Sequence, residues 1–74
     1  MKQSNDRKRL GKTIRELRLE KGWTQEELAE QAGIHPTYIG GVERGERNIG
    51  FDNILNIARA LQVPPSALFA GLPK

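Results

Sequence analysis

The sequence contains no cysteine and only one histidine, His35, among its 74 residues. The absence of thiols excludes a disulfide framework and a thiolate metal site, and carboxylates around a single imidazole would make an unusual zinc site. We therefore expect neither a metal nor another cofactor. The sequence also has no glycine-rich loop that would cradle a phosphate and is too short for a pocket-sized core, which together with the single histidine and the absence of cysteine argues against an enzyme.

Long apolar runs are also missing. No stretch approaches the roughly 20 residues that a membrane helix needs, and no apolar segment follows the N-terminal charges as in a signal peptide. We therefore expect a cytoplasmic protein with no membrane contact. Strand-like alternation, internal repeats and low-complexity segments are absent from the sequence as well. The length suffices for one small core, so we expect a single domain over residues 1–74, with residues 1–6 as a flexible polar tail.

The charge of the chain is modest but unevenly placed. The formal net charge is +3, and eight of the twelve lysine and arginine residues lie within residues 2–21. A basic face suits a polyanionic partner such as a nucleic acid. The alternative is an ordinary solvated helix surface, and charge alone does not decide between the two.

Helical periodicity accounts for nearly the whole chain. In the first segment Leu10, Ile14 and Leu17 recur at helical spacing. Similar patterns follow, separated by glycine and proline, and predict helices at residues 7–21, 25–32, 36–44, 52–61 and 65–69 with no strand. The expected buried positions of the later helices are Leu28, Ala29, Ala32, Ile39, Val42, Ile54, Ile57, Ala58 and Leu61. The predicted fold class is all-α, a compact arrangement of five short helices.

The clearest local signal lies between the second and third predicted helices. Thr24 and Glu27 have the spacing of a capping box, and Gly33 suits a helix end in the left-handed conformation. His35 is expected to cap the next helix, and Pro36 suits its first turn. With a small residue, Ala29, where two steeply crossed helices would touch, the pattern predicts a helix-turn-helix, whose second helix can enter a DNA major groove. The alternative is a corner between two helices in some other helical domain.

With these residues in view, the chain resembles the lambda-repressor/Cro (XRE) family of bacterial and phage helix-turn-helix regulators. The resemblance covers about residues 10–69 and rests on IRELRLEKGWTQEELAEQAGIHPTYIGGVERG and ILNIARALQVPPSALF. Within the family, TYIGGVERGERNI looks most like the small controller proteins of restriction–modification systems, although antitoxins and short phage repressors share the core pattern. The resemblance implies a lambda-repressor-like DNA-binding domain with its helix-turn-helix at the second and third helices.

The resemblance also implies roles for particular residues. Arg18 and Glu43 match a pair that bridges the domain in many members. Gln25 matches a phosphate-contacting position at the start of the second helix. The DNA-binding residues that we expect are Gln25, His35, Pro36, Thr37, Tyr38, Gly41, Arg47 and Asn48.

This chain departs from its relatives at the positions that read bases. Pro36, Thr37 and Gly41 match those positions, but Pro36 and Gly41 offer no side-chain donor. Base reading is then expected to shift toward His35, Thr37 and Tyr38, or toward DNA shape. In the loop that approaches DNA, Arg47 could donate to a phosphate or to a guanine edge, and phosphate is the more frequent use.

Gly40 and Gly41 are expected to lie on another side of the third helix than the inward-facing Ile39 and Val42. Each glycine inside a helix costs about 1 kcal/mol relative to alanine. The pair indicates either a close approach of the backbone to DNA or an ordinary weak helix held by its neighbours, and the sequence leaves both open.

Partners follow from the resemblance. It implies a homodimer on a palindromic or pseudopalindromic double-stranded DNA operator, with the subunits meeting at the fourth and fifth helices and Phe69 and Leu72 as candidate contacts. RNA polymerase is a further candidate partner. The expected function is a sequence-specific transcriptional regulator. The alternative is an antitoxin or protein-interaction module on the same fold, which the acidic outer face of the second helix and the missing side chains at Pro36 and Gly41 favour.

Overall fold

A computed structural model describes residues 5–73, and in that range the protein forms five α-helices and no strand. The helices are α1 (Asn5–Glu20), α2 (Gln25–Ala32), α3 (Pro36–Glu43), α4 (Phe51–Leu61) and α5 (Pro65–Leu68). The all-α fold predicted from the sequence is confirmed. None of the helices within residues 5–73 has the length and apolar character needed to cross a membrane.

The first helix begins earlier than the sequence predicts. α1 starts at Asn5, two residues before the expected start at residue 7, so that Asn5 and Asp6 belong to the helix and not to a tail. Asp6 accepts a hydrogen bond from Arg9 at 3.2 Å, and an acidic residue in the first turn suits the positive end of the helix dipole. The remainder of the predicted tail, residues 1–4, lies outside the described residues. No other helix end differs from its prediction by more than one residue.

The turn between α2 and α3 is fixed by local hydrogen bonds. The hydroxyl of Thr24 accepts from the backbone N–H of Glu27 at 3.1 Å, while the Glu27 carboxylate accepts from the Thr24 N–H at 2.8 Å, so the predicted capping box is present. Gly33 closes α2 with φ of 70°, a conformation that a side chain would strain. His35 then caps α3. The two helices are therefore joined by a short turn with a single defined geometry.

One apolar cluster holds all five helices together. α3 packs against α1 and α2, while α4 packs against α2 and α5, and α5 also contacts α1. Leu17 and Ile54, both predicted to be buried, are only half-buried and pack against the cluster from its edge. The buried members of the cluster are Leu10, Ile14, Leu28, Ala29, Ala32, Ile39, Val42, Ile57, Ala58, Leu61 and Leu68.

A glycine sets the distance between α1 and α3. Gly11 is buried, and a β-carbon built there would fall against the carbonyl oxygen of Val42 and 2.5 Å from that of Glu43. The backbones of the two helices therefore touch directly, with no side chain between them. This contact holds the C-terminal half of α3 against α1 and leaves its N-terminal end directed away from the core.

Candidate nucleic-acid interface

The exposed part of α3 is its N-terminal end. His35, Pro36 and Thr37 are exposed and Tyr38 is half-buried, whereas every residue of α3 from Ile39 onward is buried. The capping bond orients the imidazole, because Nδ1 of His35 accepts from the backbone N–H of Thr37 at 3.0 Å. The remaining ring donor is then Nε2. The first turn of α3 thus presents an imidazole, a hydroxyl and part of a phenol ring to solvent.

A buried ion pair between Arg18 and Glu43 connects α1 to the C-terminal end of α3. Nε of Arg18 donates to Oε2 of Glu43 at 2.7 Å, and Nη2 donates to Oε1 at 3.0 Å, which is the bidentate geometry that guanidinium and carboxylate groups favour. Arg18 also donates to the carbonyl of Trp23 at 2.7 Å. The structure therefore joins α1 to α3 by the two residues that the resemblance paired.

Gln25 belongs to the same network. Its amide nitrogen donates to Oε1 of Glu43 at 3.0 Å, so both carboxylate oxygens of Glu43 have partners. Across residues 5–73, no buried side-chain nitrogen or oxygen lacks a hydrogen bond. Gln25 lies at the first position of α2, where backbone N–H groups are not used by the helix itself. The network fixes the N-terminus of α2 beside the C-terminal turn of α3.

The two glycines of α3 face side chains outside the apolar cluster, yet both are buried. The cause is that long side chains cover them. A β-carbon at Gly40 would lie 3.1 Å from Nη1 of Arg44 and 3.3 Å from Oε1 of Gln25. A β-carbon at Gly41 would lie 2.9 Å from Cγ of Arg47. The α3 backbone at Gly41, assigned to DNA contact from the sequence, is therefore covered by an arginine in this structure.

The loop after α3 lies along the same surface as its first turn. Arg47 and Asn48 are both exposed, and Cζ of Arg47 lies 5.5 Å from the centroid of the Tyr38 ring. This distance is within the range of a cation–π contact. The Arg47 side chain thus extends from the loop along α3 to Tyr38, and Asn48 is the next residue of the loop.

The basic half of α1 borders this loop. Gly45, with φ of 78°, packs against Lys8 so closely that a β-carbon there would lie 2.8 Å from the Lys8 Cα. Among residues 5–73 the ion pairs are Arg9–Asp6, Arg18–Glu43 and Arg44–Glu46. The exposed Lys8, Lys12 and Arg15 are not among them. Positive charge on α1 therefore continues toward Arg47, which favours a polyanionic partner.

Sequence reasoning missed two residues of interest. Arg44 covers Gly40 and pairs with Glu46 at 3.1 Å, and its position four residues after Gly40 is the signal that could have indicated this cover. Phe51 is the most exposed large hydrophobic side chain described, at 71%, against 39% for Phe69. The sequence predicts that the fourth helix begins at residue 52, so Phe51 falls just outside it and is given no role. Leu72, the other predicted contact, is half-buried.

A helix-turn-helix family model matches residues 14–68 of the chain, the segment that contains the surface just described. The chain therefore belongs to the helix-turn-helix family, and to its XRE type, as the sequence resemblance indicated.

Its relatives include controller proteins of restriction–modification systems. The control protein C.BamHI of Bacillus amyloliquefaciens is 44% identical over 66 residues, which are 88% of this chain and 82% of that protein. The control protein C.SmaI of Serratia marcescens is 44% identical over 52 residues, 70% of this chain and 62% of that protein. The crystal structure of the restriction–modification controller protein C.AhdI from Aeromonas hydrophila matches with a TM-score of 0.88 at 47% identity, covering 89% of this chain and all of that one.

Proposed function

We propose that this protein is a sequence-specific transcriptional regulator that binds double-stranded DNA, of the kind its restriction–modification controller relatives represent. The observation that carries the proposal is the exposed first turn of α3, held by the capping bond of His35 and bordered by Arg47. In helix-turn-helix proteins the N-terminal residues of the second helix contact base edges in the major groove. The proposal includes no catalytic step, no metal and no cofactor.

Base reading is assigned to the polar groups of that turn. The Thr37 hydroxyl can donate or accept, and the Nε2 proton of His35 can reach an acceptor such as guanine or adenine N7. The Tyr38 ring offers a hydroxyl at its exposed edge. Pro36 lies among these groups and offers only the apolar surface of its ring, so it would favour a base by shape or by contact with a thymine methyl group.

Phosphate contacts are assigned to the two ends of the surface. Gln25 uses one amide proton for Glu43, and its second proton would point to a phosphate together with the free N–H groups at the start of α2. Arg47 and Asn48 would donate from the loop on the other side, Arg47 to a phosphate or a guanine edge. The two ends would thus fix the register of α3 in the groove.

The regulator is proposed to act as a homodimer formed through α4 and α5. Phe51 at the start of α4 and Phe69 after α5 leave apolar surface in contact with water, and Leu72 follows Phe69 by three residues. The second subunit would read the other half of a palindromic site, about 34 Å along the duplex. Binding would regulate transcription in the cytoplasm by helping or blocking RNA polymerase at sites that overlap its own.

The proposal is tested by binding to a selected duplex and to random duplex over a range of salt concentrations. The logarithm of the binding constant should fall linearly with the logarithm of salt, by about 0.9 for each phosphate neutralised. Thr37→Ala should weaken binding to the selected duplex more than to random DNA, since it removes a hydroxyl that reads bases. Equal losses on both duplexes would contradict base reading by Thr37.

A protein-interaction module, such as an antitoxin, is the second candidate. The observation that favours it is the combination of exposed acids on α2, including Glu26 and Glu30, with the exposed ring of Phe51. Acidic side chains repel phosphates, so this face of α2 would suit a basic protein better than DNA. A failure to bind any duplex, together with a stable complex with a purified candidate toxin, would favour this candidate.

A further inference from the structure

Gly41 lies beneath one side chain only. The three atoms nearest to a β-carbon built at this position are Cγ, Nε and Cδ of Arg47, at 2.9, 3.2 and 3.6 Å. All three belong to the same side chain, and none belongs to the backbone. An alanine at position 41 would therefore meet the Arg47 side chain first, and Arg47 would have to move.

The position of the clash within the arginine decides its effect. A contact with the far end of a long side chain is relieved by a small rotation, but Cγ lies near the base of Arg47. Moving Cγ away requires a rotation about χ1, at the base of the side chain. A change at χ1 swings the whole side chain and carries the guanidinium away from its present site.

The present site of the guanidinium is the ring of Tyr38. Cζ of Arg47 lies 5.5 Å from the ring centroid, and Tyr38 precedes Gly41 by three residues, so the two lie on the same side of α3. The aliphatic stem of Arg47 occupies the gap at Gly41 while its charged head rests on Tyr38. An arginine from the loop thus lies along the outer side of α3, where α3 itself carries no side chain at Gly41.

We infer that Gly41 is a positioning residue. Because it has no side chain, Arg47 can lie along α3 with its guanidinium at the first turn of that helix, and we call this arrangement the Arg47 seat. The part of this inference that concerns DNA rests on the proposed function. The seat explains why position 41, in the middle of α3, is a glycine, although glycine is unfavourable in a helix interior. Gly41 thereby acts on DNA through Arg47 and not by its own contact.

The seat is tested first without DNA, by NMR of the full chain. The ring current of Tyr38 should displace the Nε–Hε and δ-proton resonances of Arg47 from the values of the other arginines. Gly41→Ala should return them toward ordinary values, and so should Tyr38→Leu. Gly40→Ala is the matched control, because its new β-carbon would meet only the far ends of Arg44 and Gln25. Arg47 resonances that stay displaced in Gly41→Ala would overturn the inference.

The consequence for DNA is tested by a double-mutant cycle on a selected duplex. Arg47→Ala should weaken binding roughly tenfold or more, as expected for a charged hydrogen bond. Gly41→Ala should weaken it by a similar factor, and the double variant by no more than Arg47→Ala alone. Additive losses would overturn the inference and leave the proposed function standing. A wild-type protein that binds no duplex would overturn the proposed function, and the NMR result would still decide whether Gly41 seats Arg47.

Discussion

Replacing Gly11 with alanine should destabilise the fold, although alanine is the better helix former. The added β-carbon would fall against the carbonyl oxygen of Val42, 2.5 Å from the oxygen of Glu43 and 2.8 Å from its carbonyl carbon. All of these are backbone atoms of α3, so no side-chain rotation can make room. The contact is relieved only if α1 moves away from α3, which also disturbs the core around it.

The size of the effect follows from two opposing contributions. Overpacking a well-packed interior costs about 1–3 kcal/mol, and contact with backbone places Gly11→Ala near the upper end. Alanine recovers about 1 kcal/mol through its higher helix propensity. The free energy of unfolding should therefore fall by about 2 kcal/mol, which for a domain of this size lowers Tm by roughly 8–16 °C.

Thermal unfolding followed by circular dichroism at 222 nm measures this difference, with urea unfolding as a second estimate. Gly40→Ala is the control, since it makes the same change in α3 where the new β-carbon meets only side-chain ends. The control should be as stable as the wild type or more stable by up to about 1 kcal/mol. A Gly11→Ala protein with a Tm equal to or above that of the control would refute the direct contact of α1 and α3.

Three further changes test other parts of the structure. Arg18→Met leaves the buried Glu43 carboxylate without its guanidinium and should lower the free energy of unfolding by about 3–5 kcal/mol, whereas adding Glu43→Leu should recover most of that loss. An unchanged urea midpoint in the single variant would exclude a stabilising role for the pair. His35→Ala removes the α3 cap and should lower the same free energy by about 1 kcal/mol, while His35→Asn retains an acceptor and should lower it less; equal losses would deny the capping role. Phe51→Glu should convert the proposed dimer to a monomer in sedimentation equilibrium with helix content unchanged, and a variant that stays dimeric would exclude Phe51 from the interface.

The parts of the fold that the sequence predicts are those set by local spacing. The Thr24–Glu27 capping box and the left-handed Gly33 involve residues at most four apart, and the structure contains both. The family was also predictable, because the residues that carry it form one continuous stretch. The start of α1 was placed two residues too late, and the contact of Asp6 with Arg9 lies in the turn that contains those residues.

The cover over Gly41 was not predictable. Gly40 and Gly41 were expected to lie away from the inward-facing Ile39 and Val42, and the sequence left open what lies over them. Arg44 and Arg47 bury them, and the path of Arg47 depends on a loop whose conformation comes from tertiary packing against α1. Phe51 was missed because it falls just before the predicted fourth helix at residues 52–61, whereas α4 begins at Phe51 and leaves its side chain exposed. The DNA-binding roles of the individual site residues stay predictions.

Selection of duplexes from a random pool by the full chain tests most directly whether the first turn of α3 reads DNA. The account predicts enrichment of two inverted half-sites whose centres lie one helical turn apart, about 34 Å. A pool that stays unenriched after repeated rounds at moderate salt, while the protein remains folded, would contradict it.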